Sequence, residues 1–124
     1  VSGNTAKNGA GINGFSDSQG VVINSTSAGN QPDGVAGQNN HAVLWNTIAW
    51  GNGNSDTHGN VDAYYSLIGV DPLFVDAAHG NYHLSAGSPA IDAGTSQGAP
   101  DTDIDGDRRP MGAGVDIGAD EFRP

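Results

Sequence analysis

Asn24-Ser25-Thr26-Ser27-Ala28-Gly29-Asn30 and Asn46-Thr47-Ile48-Ala49-Trp50-Gly51-Asn52 carry the same text, N-x-x-x-x-G-N, in two copies whose numbers differ by 22 throughout. A further Gly-Asn pair, Gly3-Asn4, precedes Gly29-Asn30 at a spacing of 26. Near-constant spacing of this kind predicts stacked solenoid coils, each of which buries its apolar side chains only against its neighbours. The period is too short for paired-helix repeats, and the leucine pattern of leucine-rich repeats is missing. Short runs such as Val21-Val22-Ile23 and Val43-Leu44-Trp45 read as strands, with Gly-Asn pairs turning the chain between them. Stacked Asn side chains can hydrogen-bond from coil to coil, so Asn4, Asn30 and Asn52 form a candidate ladder. Gly9-Ala10-Gly11-Ile12-Asn13-Gly14 lacks the helix that a dinucleotide fingerprint needs and is expected to be a turn. The Gly/Asn/Asp-rich stretches 31–40 and 51–60 look like corner insertions, where binding residues often gather.

Composition agrees with a thin core. The 124 residues are 35% hydrophobic, with twenty glycines, twelve asparagines and eight aromatics, and no stretch repeats apolar residues at helical period. A formal charge of −10, with only Lys7, Arg108, Arg109 and Arg123 as cations, argues against nucleic acid as a partner and leaves cations, cationic partners or neutral glycans. The acid is concentrated late: residues 1–70 carry one Lys against four Asp, a net −3, whereas 71–124 carry three Arg against ten acids, a net −7. With no cysteine there is neither a disulfide nor a thiol nucleophile. No apolar run is long enough to span a membrane as a helix.

At Asp71 the repeat gives way to different text. The segments Asp71-Pro72-Leu73-Phe74-Val75-Asp76, Asn81-Tyr82-His83-Leu84, Gly87-Ser88-Pro89-Ala90-Ile91-Asp92-Ala93-Gly94, Asp103-Ile104-Asp105-Gly106 and Val115-Asp116-Ile117-Gly118-Ala119-Asp120-Glu121-Phe122 follow one another in order. This text resembles the C-terminal end of bacterial secreted right-handed parallel β-helix proteins, and Val1-Ser2-Gly3-Asn4-Thr5-Ala6 to Gly11-Ile12 resembles their coils. The resemblance implies an all-β fold, a right-handed parallel β-helix over 1–70 followed by a C-terminal capping segment over 71–124, and an extracellular or cell-surface location. Phe74, Tyr82, Leu84, Ile91, Ile104 and Ile117 are expected on the buried side of the cap, which would cover the last coil and blunt its strand edges. The opposite end has no comparable cap and is expected to be covered by a second chain, as in a homo-oligomer, or by upstream coils. The group mixes adhesins, surface proteins and polysaccharide-active enzymes, so the fold leaves the activity open.

The chemistry must come from particular residues. Lyases acting on acidic polysaccharides need a basic proton acceptor, and the coil region offers only Lys7. Hydrolases need paired carboxylates; Asp56 and Asp62 are near in sequence but read as solvated loop residues. His41, His58, His79 and His83 are candidate ligands, and only His79 and His83 share a zinc-like spacing, which serves a helix that Gly80-Asn81 excludes. Trp45, Trp50, Tyr64 and Tyr65 are candidates for sugar stacking, Trp50 and Tyr64 foremost. The strongest metal signal is Asp101, Asp103, Asp105 and Asp107, whose alternating carboxylates around Gly106 match the first half of a Ca2+ loop. The twelfth position is Gly112, so an EF-hand is excluded, and the competing expectation is an Asp-rich turn neutralised by Arg108 and Arg109. These readings favour a non-catalytic extracellular or cell-surface module, carbohydrate-binding or adhesive. The alternative is the C-terminal part of a polysaccharide-degrading lyase or glycoside hydrolase.

Overall fold

The computed structural model describes residues 1–13 and 19–124 and is all-β, with one 3-10 turn at Ala77–His79 and no α-helix among the described residues. Strands β1 (Thr5–Asn13), β2 (Gly20–Ile23), β4 (Gln31–Trp45) and β6 (Ser55–Tyr64) form a curled parallel sheet in which β4 pairs with the other three. Strands β3 (Thr26–Ala28), β5 (Ile48–Trp50) and β7 (Leu67–Ile68) form a second parallel sheet. From β2 to β7 the chain therefore alternates between the two sheets, and each visit stacks on the one before.

The register carries the sequence repeat. Gly20 pairs with Ala42, Thr26 with Ile48 and Asp33 with Ser55, so partners in all three strand pairs keep the spacing of the Gly-Asn text. Beyond Gly37–Gly59 the spacing shortens, as in Trp45–Tyr64 and Ile48–Leu67, because β6 spans the same distance with three fewer residues. The stretches expected as corner insertions are strand for most of their length: 31–40 lies within β4, and 55–60 within β6. Gly and Asn discourage strands on propensity, but pairing on both sides of β4 overrides that preference. For the same reason 9–13 belongs to β1 instead of a turn, while Gly14 lies outside the described residues.

Both faces of the small sheet are covered. Ala49 joins Val35 and Leu44 in a cluster flanked by Ile12, Val22, Val61 and Ile68, which lies between the small sheet and the inner face of the curled sheet. Ile48, one residue earlier and therefore on the opposite face, packs with Leu84, Ala90 and Ile117 of the tail. Trp50, Leu67, Phe74, Ile91 and Phe122 complete this second cluster. A strand buried on both faces explains why Ile48-Ala49-Trp50 reads as unbroken apolar text.

The tail begins with an antiparallel pair, β8 (Phe74–Asp76) and β9 (Asn81–Leu84), and continues as linked turns. Its contacts run along the outer face of the small sheet, which differs from a cover laid over the last coil. Gly118 N–H donates to Asn46 O (2.8 Å), Ala119 N–H to Thr26 Oγ1 (3.1 Å) and Asn24 Nδ2 to Asp116 O (3.3 Å). Gly118 lies so close to the sheet that an added Cβ would stand 2.8 Å from Ile48 Cδ1, and its φ is +110°. Of the six side chains expected to be buried here, Ile104 is 73% exposed and lines an open cleft beside Tyr82, while Leu84 and Ile117 are buried.

Candidate functional site

The curled sheet turns one face inward and the other to solvent. By alternation Val22 and Leu44 point into the coils, so Val21, Ile23, Val43 and Trp45 point outward. Register then sets Ile23, Trp45 and Tyr64 side by side on three successive strands. Trp45 stacks against Tyr64 with ring centroids 4.7 Å apart and planes inclined by 23°, and against Tyr65 at 6.1 Å and 22°. Tyr64 and Tyr65 are 45% and 57% exposed, and Val21 and Ile23 are exposed as well. Gln97 and Gly98 of the tail rise beside Val21, Ile23 and Trp45 to form a shallow cleft. Polar groups continue the same face: His41 Nε2 lies 2.6 Å from Asp62 Oδ2, and Gln19 Nε2 lies 3.3 Å from His41 Nδ1.

Trp50 belongs to a different place. It meets Phe74 edge-to-face at 5.9 Å, and Phe74 in turn meets Tyr82 at 5.2 Å, so its ring is committed to the contact between tail and small sheet. Of the two foremost aromatic candidates, Tyr64 is thus on the open face and Trp50 is not. Trp45 and Tyr65 are the residues that join Tyr64; the shortened spacing that brings Tyr64 onto Trp45 is not visible in the Gly-Asn repeat. Asp56 and Asp62 are also separated in role: Asp56 Oδ1 accepts from Asn52 N–H and Nδ2, closing a corner, while Asp62 faces His41.

The four aspartates of 101–107 do not turn toward a common point. Asp103 organises the turn: its Oδ1 accepts from Asp105 N–H (2.9 Å) and Asp107 N–H (2.8 Å), and its Oδ2 from Glu121 N–H (2.9 Å). Burial alone would raise the Asp103 pKa, but these three bonds outweigh it and the carboxyl is held below its ordinary value. Asp101 is exposed, and its carbonyl accepts from Arg109 N–H. Asp107 lies 3.4 Å from Arg123. Arg109, expected to neutralise this loop, is instead buried beneath it, where it binds Glu121 Oε2 (2.8 Å) and the carbonyls of Gly118 and Ala119.

Asp105 faces out of the turn toward His83 of β9, with Oδ2 2.6 Å from Nε2. Asp120 lies beside them, buried, with Oδ2 accepting Leu84 N–H at 2.7 Å. Burial raises the Asp120 pKa, and the hydrogen bond with Asp105 raises that of His83. Spacing pairs His83 only with His79, whose ring bonds Asp76 instead; the partners His83 does meet, Asp105 and Asp120, stand far along the chain and in different motifs. Among the described residues no helix is long and apolar enough to cross a membrane. A scan of protein-family models finds none that matches the chain, and neither the curated proteins nor the solved structures contain a match.

Proposed function

We infer that the chain is a non-catalytic, extracellular or cell-surface module of the right-handed parallel β-helix type, and that it binds neutral carbohydrate on the outer face of its curled sheet. The observation that carries this reading is the outward-facing row of Ile23, half-buried Trp45 and Tyr64, extended by Tyr65 and bordered by His41, Asp62 and Gln97. An aromatic ring offers a flat apolar surface to the C–H face of a pyranose, while carboxylate, imidazole and amide groups at its border bond the hydroxyls. The charge of −10 disfavours polyanionic glycans, so neutral or amino sugars are the expected class. The alternation between two parallel sheets in the register of the Gly-Asn repeat, and the order of the tail motifs, support the β-helix assignment.

The test is a glycan array followed by titration calorimetry, with products scored for new reducing and unsaturated ends. Binding of a neutral glycan without cleavage is expected, with quenching or a blue shift of Trp45 fluorescence, and Tyr64→Ala should weaken it by about 1–2 kcal/mol through the lost stacking area. Binding that survives Tyr64→Ala and Trp45→Ala together would remove the aromatic face from the account. Cleaved product would instead favour the terminal part of a polysaccharide-degrading enzyme.

A further inference from the structure

His83 Nε2 and Asp105 Oδ2 stand so close that either a second ring proton or a metal ion must lie between them. The backbone N–H of His83 can only donate, and it points at Asn81 Oδ1 (3.2 Å), which fixes that atom as the amide oxygen. The same oxygen lies 2.6 Å from His83 Nδ1, so Nδ1 carries a proton. In a neutral imidazole Nε2 then presents its lone pair to Asp105 Oδ2, 2.6 Å away. This arrangement, with one ring nitrogen tied to a carbonyl and the other aimed at an anionic ligand, is that of a metal-binding histidine with its outer support in place.

Asp120 supplies the second observation. It is more than nine-tenths buried, and while Oδ2 accepts Leu84 N–H, Oδ1 accepts no hydrogen bond from the described residues. It lines the clefts on both sides of His83, one of about 220 Å³ beside Tyr82 and Ile104, the other of about 160 Å³ beside Asp107 and Phe122. Ligand atoms of His83, Asp105 and Asp120 lie within 4.8 Å of one another. Tetrahedral bonds of about 2.1 Å set ligand atoms roughly 3.4 Å apart, so the His83–Asp105 pair needs to open by less than about 1 Å.

We propose that His83, Asp105 and Asp120 form a site for a divalent transition cation of the Zn2+ class, completed by water from the clefts. An imidazole with two carboxylates suits such an ion better than Ca2+, which takes six or more oxygens. The three ligands come from β9, from the turn after Ile104 and from the last segment of the tail, so the ion cross-links three parts of the chain that are remote from one another in sequence. Its role is to fasten the tail, and it is independent of the glycan face.

The experiment titrates chelator-stripped protein with ZnCl2 and with CaCl2 by calorimetry, and with CoCl2 by visible absorption. One Zn2+ per chain is expected, with a higher melting temperature, a Co2+ ligand-field band and perturbation of the His83 imidazole signals. His83→Ala and Asp105→Asn should each weaken Zn2+ more than roughly 100-fold, beyond the loss typical of an outer-shell change, whereas Asp101→Asn should match wild type. Should either ligand variant fold poorly, the assignment rests on the wild-type imidazole signals. Perturbation of His41, His58 or His79 in place of His83, tighter binding of Ca2+ than of Zn2+, or no binding at all overturns the proposal, the last leaving a protonated His83–Asp105 ion pair.

Discussion

At the scale of single residues the asparagines hold the coils in register. Asn4 Nδ2 donates to Asn30 Oδ1 at 3.0 Å, Asn30 Nδ2 to Asn52 Oδ1 at 3.0 Å, and Asn52 Nδ2 to Asp56 Oδ1 at 2.9 Å. The ladder read from Gly-Asn spacing is thus present, with Asp56 as a terminal acceptor that spacing could not reveal. A second ladder, Asn46 Nδ2 to Asn24 Oδ1 at 3.1 Å, occupies the opposite corner and reaches the tail through Thr95. Asn24, Asn46 and Tyr65 all adopt positive φ there, a conformation Asn tolerates better than most residues. Asn30 is completely buried, so Asn30→Leu should destabilise by about 1–3 kcal/mol, read as a lower urea midpoint at unchanged m. Gly34 makes room for the ladder, since an added Cβ would stand 2.7 Å from Asn52 Cγ and 2.5 Å from Asp56 O. Gly34→Ala should accordingly cost about 1–3 kcal/mol by overpacking, whereas the exposed Ala86→Gly should change stability by under about 1 kcal/mol.

At the scale of elements the tail is held by a buried ion pair as well as by apolar contact. Arg109 and Glu121 are both fully buried at their side chains; Arg109 Nε meets no acceptor among the described residues, while Glu121 takes Met111 N–H and Asp116 N–H on its two oxygens. Glu121→Ala leaves a guanidinium buried without its counter-charge and should cost about 3–5 kcal/mol in thermal or urea unfolding. The carboxyls respond to pH in opposite senses. Burial raises the pKa of Asp116, Asp120 and Glu121, so the stability linked to these groups is present at low pH and is lost as pH rises through their folded values. Asp103 is lowered, so its contribution is present above the ordinary value of 3.8 and is lost as pH falls through its folded value. Urea midpoints measured from pH 3 to 7 should therefore show Asp103→Asn most damaging near neutrality and converging toward wild type in acid. A gap that stays constant across that range would mean the Asp103 bonds do not depend on its charge.

For the whole molecule, the small sheet joins two apolar clusters, one inside the coils and one beneath the tail, and Ile48 and Ala49 look into one each. Coils and tail should therefore unfold together. Trp50 reports tail docking and Trp45 the open face, so in Trp45→Phe the Trp50 fluorescence midpoint should coincide with the far-UV dichroism midpoint. Ile48→Ala should lower both by about 2–5 kcal/mol without separating them. An earlier fluorescence transition would show the tail to be a separate folding unit.

The repeat of Gly-Asn text determined by itself that parallel strands stack at the spacing of that text and which asparagines bond from one copy to the next. Those are local consequences of period and backbone preference, which any one repeat expresses. Tertiary structure alone decided the rest. The shortening of β6 brings Tyr64 onto Trp45, and strand pairing converts Gly- and Asn-rich text at 31–40 into β4. The apolar outer face of β5 draws the tail along its side, which partly covers Trp50 and buries Arg109. Asp105 meets His83 and Asp120 because turns without a repeat fold back on one another. Contacts between segments that share no period leave no spacing to read, and they form only once burial of the small sheet has fixed where the tail can lie.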